Sequence, residues 1–466
     1  MSRFFIISTY GEMLDVALHL QDVEQHEVRM WIPDRKCKRI GDGLIEKDEK
    51  WYRYLDGSWT FLIDGCERGD LQDWLRSRGV AVFGGSKRGD ELENDRQAGQ
   101  AIFKKAGFYQ PTSKNFTSID DAIEFVQEND DRLWILKQNG DAPKSLNHAG
   151  HFDDNSDMLW HLESLKKRWN ESQFGLFDCD LMEQVRGLEV ACSAYFNGYD
   201  FLRNPDGKVV CFLNFEEKKE AAGGLGETCG EMGTTFFCTT EDHPLARQII
   251  MRPAIRQALI ESGMRGVVDI NCIETDRGMC ALEFTNRPGV PSSSYEFCVA
   301  TRNFGDVLRG CAAGMRTVVD AQYGWGMVMV VAAKPFPVDA ELSGTDDEAT
   351  SIGERLWILK NGVPTEDFNA DHRRRIHLEN FYRDEEGHYL VATKDGYLLT
   401  VTAQGDGIAN IRHELQQYIE DNLFIAGMKY RLDIGARVED REQEITGAVK
   451  IENRSRQERV IHTLGY

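Results

Sequence analysis

Gly278-Met279-Cys280-Ala281-Leu282-Glu283-Phe284-Thr285-Asn286-Arg287-Pro288-Gly289 runs as an apolar strand and ends by presenting a carboxylate, an amide and a guanidinium in close succession. Upstream, Gly266 to Ile273 reads as a second apolar strand, and Asp276-Arg277-Gly278 supplies the turn, so the two form a hairpin. Alternation then sets Asp269 and Asn271 on one face of the first strand. Magnesium takes oxygen ligands in octahedral geometry and is commonly held by one or two carboxylates together with phosphate oxygens. Glu283 is therefore the first candidate for a metal site beside a nucleotide. A solvated glutamate at a strand end fits the same letters, so the rest of the chain has to decide.

Working outward, Phe4 to Thr9 and Val28 to Ile32 read as strands separated by a helix from Met13 to Leu20. Thr60 to Asp64, a helix from Leu71 to Arg78 and Val80 to Phe83 continue a parallel alternation that ends at Gly84-Gly85. The charged segment Lys87 to Arg96 leads into a helix that reaches Ala106. Pro111-Thr112 opens a new module with a helix from Ile119 to Gln127, a strand from Leu133 to Lys137, a polar stretch from Asp153 to Ser172 and a strand from Phe177 to Val185. From Glu189 the pattern turns antiparallel, with turn signals at Asn197-Gly198 and Asn204-Pro205-Asp206-Gly207. One helix is expected from Leu245 to Ser262. Trp357 to Leu359, Tyr397 to Thr402 and a helix from Ile411 to Asn422 complete a last module, and a charged tail with scattered apolar positions such as Ile445 follows.

The 466 residues are too many for one core, so two to four modules are expected. A net charge of −22 argues against nonspecific nucleic-acid binding, which needs clustered Lys and Arg. The longest apolar run, Met327 to Ala333, is too short to span a bilayer, and the N-terminus reads as a strand rather than a signal peptide. A cytoplasmic protein with no membrane partner is expected; the oligomeric state is not legible. The 11 cysteines include no Cys-x-x-Cys pair and many lie in apolar strands, which fits reduced core thiols. His148, His151 and His161 lack the spacing of a zinc site.

Four segments, in order, resemble one family. Gly226 to Gly233 resembles its substrate-side glycine loop, Val330 to Pro337 the strand that opens its closing domain, and Asp395 to Asp406 and Gly427 to Gly435 that domain itself. From about Arg3 to Arg437 the chain resembles the glycinamide ribonucleotide synthetases (phosphoribosylamine–glycine ligases), which are ATP-grasp ligases. The resemblance implies an α/β (α+β) chain with the ATP-grasp fold: an N-terminal parallel α/β domain over 1–108, a lid subdomain over 109–190, a central subdomain over 191–325, a small C-terminal β-rich domain over 326–437 and a tail over 438–466. It implies ATP and Mg2+ (or Mn2+) as cofactors and small-molecule carboxylate and amine substrates, joined through an acyl phosphate with release of ADP and phosphate.

The resemblance also assigns residues. Arg96, Lys137 and Lys144 fall at basic phosphate contacts, Lys144 within the loop Asn139 to Ser145. The strand Leu181 to Val185, with Glu183 and Val185, matches the hinge whose backbone reads adenine, and Glu189 matches the acid that meets ribose. Glu283 is the metal ligand, with Asn271, Thr285 and Asn286 as further candidates; the family has Asn where this chain has Thr285. Arg287 is placed to stabilise an oxyanion, and Lys218 to line the substrate pocket together with Ser292 to Ser294. Each of these positions also fits an ordinary surface charge or polar loop.

Departures gather on the substrate side. Where the family carries a Gly-Gly-Arg-Glu-His-Ala loop for ribosyl phosphate, this chain reads Ser8-Thr9-Tyr10-Gly11-Glu12-Met13. The expected His-Lys-Arg reads Glu217-Lys218-Lys219, and Val290 replaces an acid. The leading expectation is a carboxylate–amine ligase with a different amine. The alternatives are a divergent but authentic phosphoribosylamine–glycine ligase and a nucleotide-binding protein without catalysis.

Overall fold

Phe4, Phe5, Ile6 and Ile7 are all fully buried, a run with no polar side. Such a run suits a strand covered on both faces. It forms β1 (Arg3–Ile7), which pairs in parallel with β2 (Glu27–Trp31) and β3 (Thr60–Ile63), and β4 (Ala81–Phe83) completes the order β2-β1-β3-β4. Parallel neighbours need crossovers. The first is a helix Leu14–Leu18 that widens into π-helical turns His19–Val23, and the helix Gly69–Ser77 joins β3 to β4.

The computed structural model describes residues 1–138, 146–169, 176–289, 299–337, 349–360 and 362–447. They fall into two compact units: Met1–Ala106 with Glu189–Cys272 and Leu282–Tyr466, and Gly107–Leu188 with Ile273–Ala281. Lys144, the loop it belongs to, Val290 and Ser292 to Ser294 lie outside the described residues.

The smaller unit holds an antiparallel sheet of β5 (Ser113–Phe116), β6 (Trp134–Gln138), β7 (His148–Ala149) and β8 (Cys179–Glu183), ordered β5-β8-β6-β7. Trp134, Leu136, Cys179 and Leu181 turn inward against Ala122, Ile123 and Val126 of the helix Ile119–Glu128 and against Met158, Leu162 and Leu165 of a helix Ser156–Arg168. The second helix replaces most of what reads as a polar stretch. Its fully buried residues sit at the i, i+4 and i+7 positions of one stripe, while Leu159 packs only partly, Trp160 is exposed and the polar and charged remainder blurs the pattern.

In the larger unit, β9 (Leu188–Phe196), β10 (Val210–Glu216), a ribbon β11 (Lys219–Ala221) and β12 (Leu225–Thr228), then β13 (Gly233–Thr240), β14 (Gly266–Thr275), β15 (Gly278–Thr285) and β16 (Gly324–Ala332) follow one another. The C-terminal part adds β17 (Arg355–Lys360), β18 (Val363–Thr365), β19 (Ile376–Leu378), β20 (Phe381–Arg383), β21 (Tyr389–Val391), β22 (Tyr397–Gly405) and β23 (Leu423–Phe424). The main sheet is eight-stranded, in the order β15-β14-β9-β10-β13-β16-β22-β19. β17, β18, β20 and β21 form a separate small sheet to which β23 adds. The strand that opens the C-terminal segment, β16, thus lies inside the main sheet beside β22.

Two helical readings change. Pro253 cannot donate its backbone nitrogen inside a helix, so the expected single helix is two, Pro244–Ile249 and Pro253–Ser262, each started by its proline. Lys87 to Arg96 is itself largely helical: Ser86 Oγ accepts from Gly89 N at 2.9 Å to start Lys87–Asn94, and the Asp95 carboxylate accepts from Gln97 N at 2.9 Å and Ala98 N at 3.2 Å to start Arg96–Lys105. After Arg437, Val438 and Ile445 are buried, and Trp325 Nε1 donates to Thr446 Oγ1 at 2.9 Å.

Candidate functional sites

In the main sheet, antiparallel register sets Asn214 of β10 against Ala191 of β9, and carrying it on sets Glu216 opposite Glu189. Alternation keeps Phe212, Asn214 and Glu216 on one face. Lys218, just past the strand, brings its Nζ to 2.6 Å from Glu189 Oε1 and 3.3 Å from Glu216 Oε2. Burial pushes the Glu216 carboxyl up, Lys218 pulls it down, and the charges of Glu189 and Glu283 push it up again, with a net rise. Burial opposes the Lys218 charge, but Glu216 and Glu189 hold its ammonium well above the ordinary lysine value.

Two carboxylates, Glu189 and Glu216, therefore share one lysine, and the charge of a third, Glu283, exposed near the end of β15, reaches Glu216. Asn214, next inward on that face, is 1% exposed, and its Oδ1 and Nδ2 have no hydrogen-bond partner among the described residues. Carboxylate oxygen beside an unsatisfied amide is the donor chemistry of a hard divalent cation, but the three acids do not bring ligand atoms within 4.8 Å of one another, so a cation here needs phosphate oxygens to complete its shell.

The remaining expected residues of this unit separate into groups. Asn271 is buried on β14 and Thr285 ends β15 half-buried. Asn286 is bound to the helix Lys87–Asn94: its N donates to Glu93 Oε2 at 2.8 Å and its Nδ2 to Gly89 O at 3.0 Å. Arg287 Nε donates to Glu93 Oε1 at 3.0 Å, and its charge also reaches Glu12. Arg96 is exposed at the start of its helix.

The smaller unit offers the sheet face turned away from its helices. Ile135 and Lys137 of β6 pair with Met182 and Asp180 of β8, an apolar pair beside a charged pair, all half-buried. Glu183, at the end of β8, is 4% exposed and its oxygens are committed within this unit. They accept from Arg277 Nη2 at 2.5 Å, Thr112 N at 3.1 Å and Tyr109 OH at 3.4 Å. Burial alone would raise this carboxyl, but the Arg277 and Thr112 hydrogen bonds and the Arg132 charge hold it below the ordinary value. Val185 follows, half-buried, and then the chain passes so close to the strand end that a Cβ on Gly187 would lie 1.9 Å from Glu274 O. Glycine alone fits there.

A third feature was not legible in the sequence. A cavity of about 790 Å3 in the larger unit is lined by Glu12 from the loop after β1, Glu231 from the glycine loop, and Glu379, Asp395 and Tyr397 from the C-terminal segment. The chain leading into the glycine loop is fixed from the same segment: Glu217 meets Arg431 at 3.1 Å and Arg437 at 3.2 Å, and Gly223 N donates to Asp433 Oδ2 at 2.8 Å.

No family model matches the chain. The phosphoribosylamine–glycine ligase of Clostridium acetobutylicum is 21% identical over 353 residues, covering 71% of this chain and 79% of that protein. Among solved structures, the phosphoribosylamine–glycine ligase of Thermotoga maritima superposes with a TM-score of 0.63 at 17% identity, over 93% of this chain and 100% of that one. The biotin carboxylase domain of the Hydrogenobacter thermophilus 2-oxoglutarate carboxylase, solved with MgADP, ADP and bicarbonate, superposes at 0.56 with 12% identity, over 95% of each chain. The fold is that of the ATP-grasp proteins, and the chain is similar to phosphoribosylamine–glycine ligase.

Proposed function

We propose that this ATP-grasp protein is an ATP-dependent carboxylate–amine ligase, similar to phosphoribosylamine–glycine ligase but taking a different amine. The observation that carries the reading is the pair Glu189 and Glu216 closed on Lys218 at the main sheet, with the charge of Glu283 reaching Glu216. A substrate carboxylate oxygen attacks the γ-phosphorus of ATP and ADP leaves. The amine nitrogen then attacks the acyl carbon, the acyl C–O bond breaks, and phosphate and a proton depart. Such chemistry needs positioning and neutralisation of phosphate charge more than covalent help from the protein.

Glu283 with Glu216, and Glu189 in place of the ribose contact expected of it, would hold the divalent cation, magnesium or manganese, whose part is to neutralise the polyphosphate. Lys218 offers a cation that exchanges carboxylate for phosphate oxygen. Arg287, oriented by Glu93, offers a guanidinium to the developing oxyanion. In the smaller unit, Lys137 is assigned to phosphate, and Ile135 with Met182 gives an apolar surface for a base. Glu183 acts there by fixing the end of β8 through Arg277 rather than by touching the nucleotide.

The test is to incubate the protein with ATP, magnesium, hydroxylamine and a panel of carboxylic acids including glycine, and to measure hydroxamate and ADP. Hydroxamate formed with ADP from one acid is expected. Nucleotide binding without ADP release under any combination, phosphoribosylamine with glycine included, would sink the ligase reading. The names of the relatives favour a second reading, an authentic phosphoribosylamine–glycine ligase, and phosphoribosylamine-dependent ADP release with glycine would establish it instead.

A further inference from the structure

The 790 Å3 cavity is built from acids that lie far apart in sequence, Glu12, Asp34, Glu231, Glu379 and Asp395, against two lysines, Lys36 and Lys394. Glu379 is 5% exposed, lines the cavity, and its Oε1 has no hydrogen-bond partner among the described residues. The half-buried Tyr397 also lines the cavity, and its hydroxyl likewise has no hydrogen-bond partner among the described residues. A buried acceptor left unmatched costs stability unless a ligand satisfies it. Burial, with Asp15, Glu12, Asp395 and Glu231 adding their charges, pushes the Glu379 carboxyl well up, so the acids of this region repel one another.

The spacing of these acids selects the kind of cation. A metal ion held by protein ligands alone, with no phosphate oxygens to complete its shell, needs ligand atoms that converge on one point. Among the described residues the only trio of His, Cys, Asp or Glu whose ligand atoms lie within 4.8 Å of one another is Asp384, Glu386 and His388, none of which lines this cavity. Acids distributed around a volume this large fit an extended ligand that carries its own N–H donors.

We propose that this cavity binds an organic ammonium ion without a phosphate group, a diamine or polyamine being the simplest case, with Glu379 and Tyr397 accepting from or facing its nitrogens and Glu12 at its rim. Resting on the ligase reading, this cation is the amine that attacks the acyl phosphate. A sugar phosphate meets the wrong sign of charge here.

The test is calorimetric titration of the full chain with 1,3-diaminopropane, 1,4-diaminobutane, spermidine, ribose 5-phosphate and magnesium chloride, at low and at physiological salt. Binding of at least one of the three amines is expected, weakened by salt and weakened about tenfold or more by Glu379→Gln. Because a buried substitution can unsettle the fold, exposed Glu12→Gln serves as the second variant, with a smaller loss of the same sign. Failure of all three amines to bind at millimolar concentration, tighter binding of ribose 5-phosphate, or amine binding indifferent to both variants overturns the proposal. Binding is measured without turnover. An amine that binds, responds to both variants and yet stimulates no ADP release with any acid leaves the cavity assignment standing and refutes the ligase reading.

Discussion

Replacing Lys218 by methionine should separate two opposite consequences of one charge. Its Nζ lies 2.6 Å from Glu189 and 3.3 Å from Glu216, and Glu283 adds a third negative charge nearby. At an effective dielectric near 20, a unit charge at about 3.3 Å is worth about 5 kcal/mol. Lys218 is 33% exposed, so solvent screening cuts this to about 1–2 kcal/mol. In the variant that attraction no longer competes with a divalent cation for the same oxygens. Manganese binding, followed by electron paramagnetic resonance without nucleotide, should tighten by about tenfold. Hydroxamate formation should nevertheless fall by about a hundredfold, because the cation that meets phosphate oxygen is gone. Weaker manganese binding would show that these carboxylates do not form the metal site. Unchanged turnover would show that Lys218 is a structural ion pair and no more.

Glu283→Ala should abolish hydroxamate formation and leave the unfolding midpoint where it was, since the side chain is exposed; retained turnover would remove it from the metal site. Glu217→Ala leaves Arg431, which is 4% exposed, with Asp433 as its remaining carboxylate and loosens Arg437, so denaturant titration should show a loss of about 1–2 kcal/mol, whereas a change within about 0.5 kcal/mol would mean this segment is held by its other contacts. Asp64 is buried with its oxygens accepting from Ser8 Oγ and Thr9 N, and burial raises its carboxyl from 3.8 to about 7. The folded state thus holds a proton that the unfolded chain releases, so this contribution is complete below about pH 4 and is lost as pH rises through about 7. Relative to Asp64→Asn, the native protein should lose about 2–4 kcal/mol of unfolding free energy across that window, and a difference that stays flat or rises with pH would contradict the assignment.

What was legible in the sequence depended on whether the signal was local. The strands of the parallel sheet announce themselves because Phe4 to Ile7 and Thr60 to Ile63 are unbroken apolar runs. The hairpin ending at Glu283 is legible because a turn separates two such runs. The helix Ser156–Arg168 is not, because tertiary packing buries mainly its Met158, Leu162 and Leu165 stripe and leaves Trp160 among the charged residues on the surface. Glu216 was not singled out, although it stands two residues before Lys218. Nothing local distinguishes it from Glu217, and only the register against β9 turns one toward Glu189 and the other toward Arg431 and Arg437.

The substrate side shows the same limit in a sharper form. Reading Ser8 to Met13 against the family revealed the loss of an arginine and a histidine, which removes a reason for phosphate to bind but gives no reason for anything else to bind. That reason appears only when Glu12 is seen to share a cavity with Glu231, Glu379 and Asp395, acids more than two hundred residues away in sequence. Acids gathered around a cavity are mutually repulsive, and a chain carrying a net charge of −22 has no shortage of such repulsion elsewhere on its surface. Concentrating more of it around Glu379, whose Oε1 is buried and has no partner among the described residues, is destabilising for the empty protein. A cationic ligand reverses that sign on binding, so discrimination against a phosphorylated amine follows from the same acids that attract a phosphate-free one. If so, neutralising Glu379 should make the empty protein more stable and its amine binding weaker in a single substitution, a pairing that a purely structural glutamate would not produce.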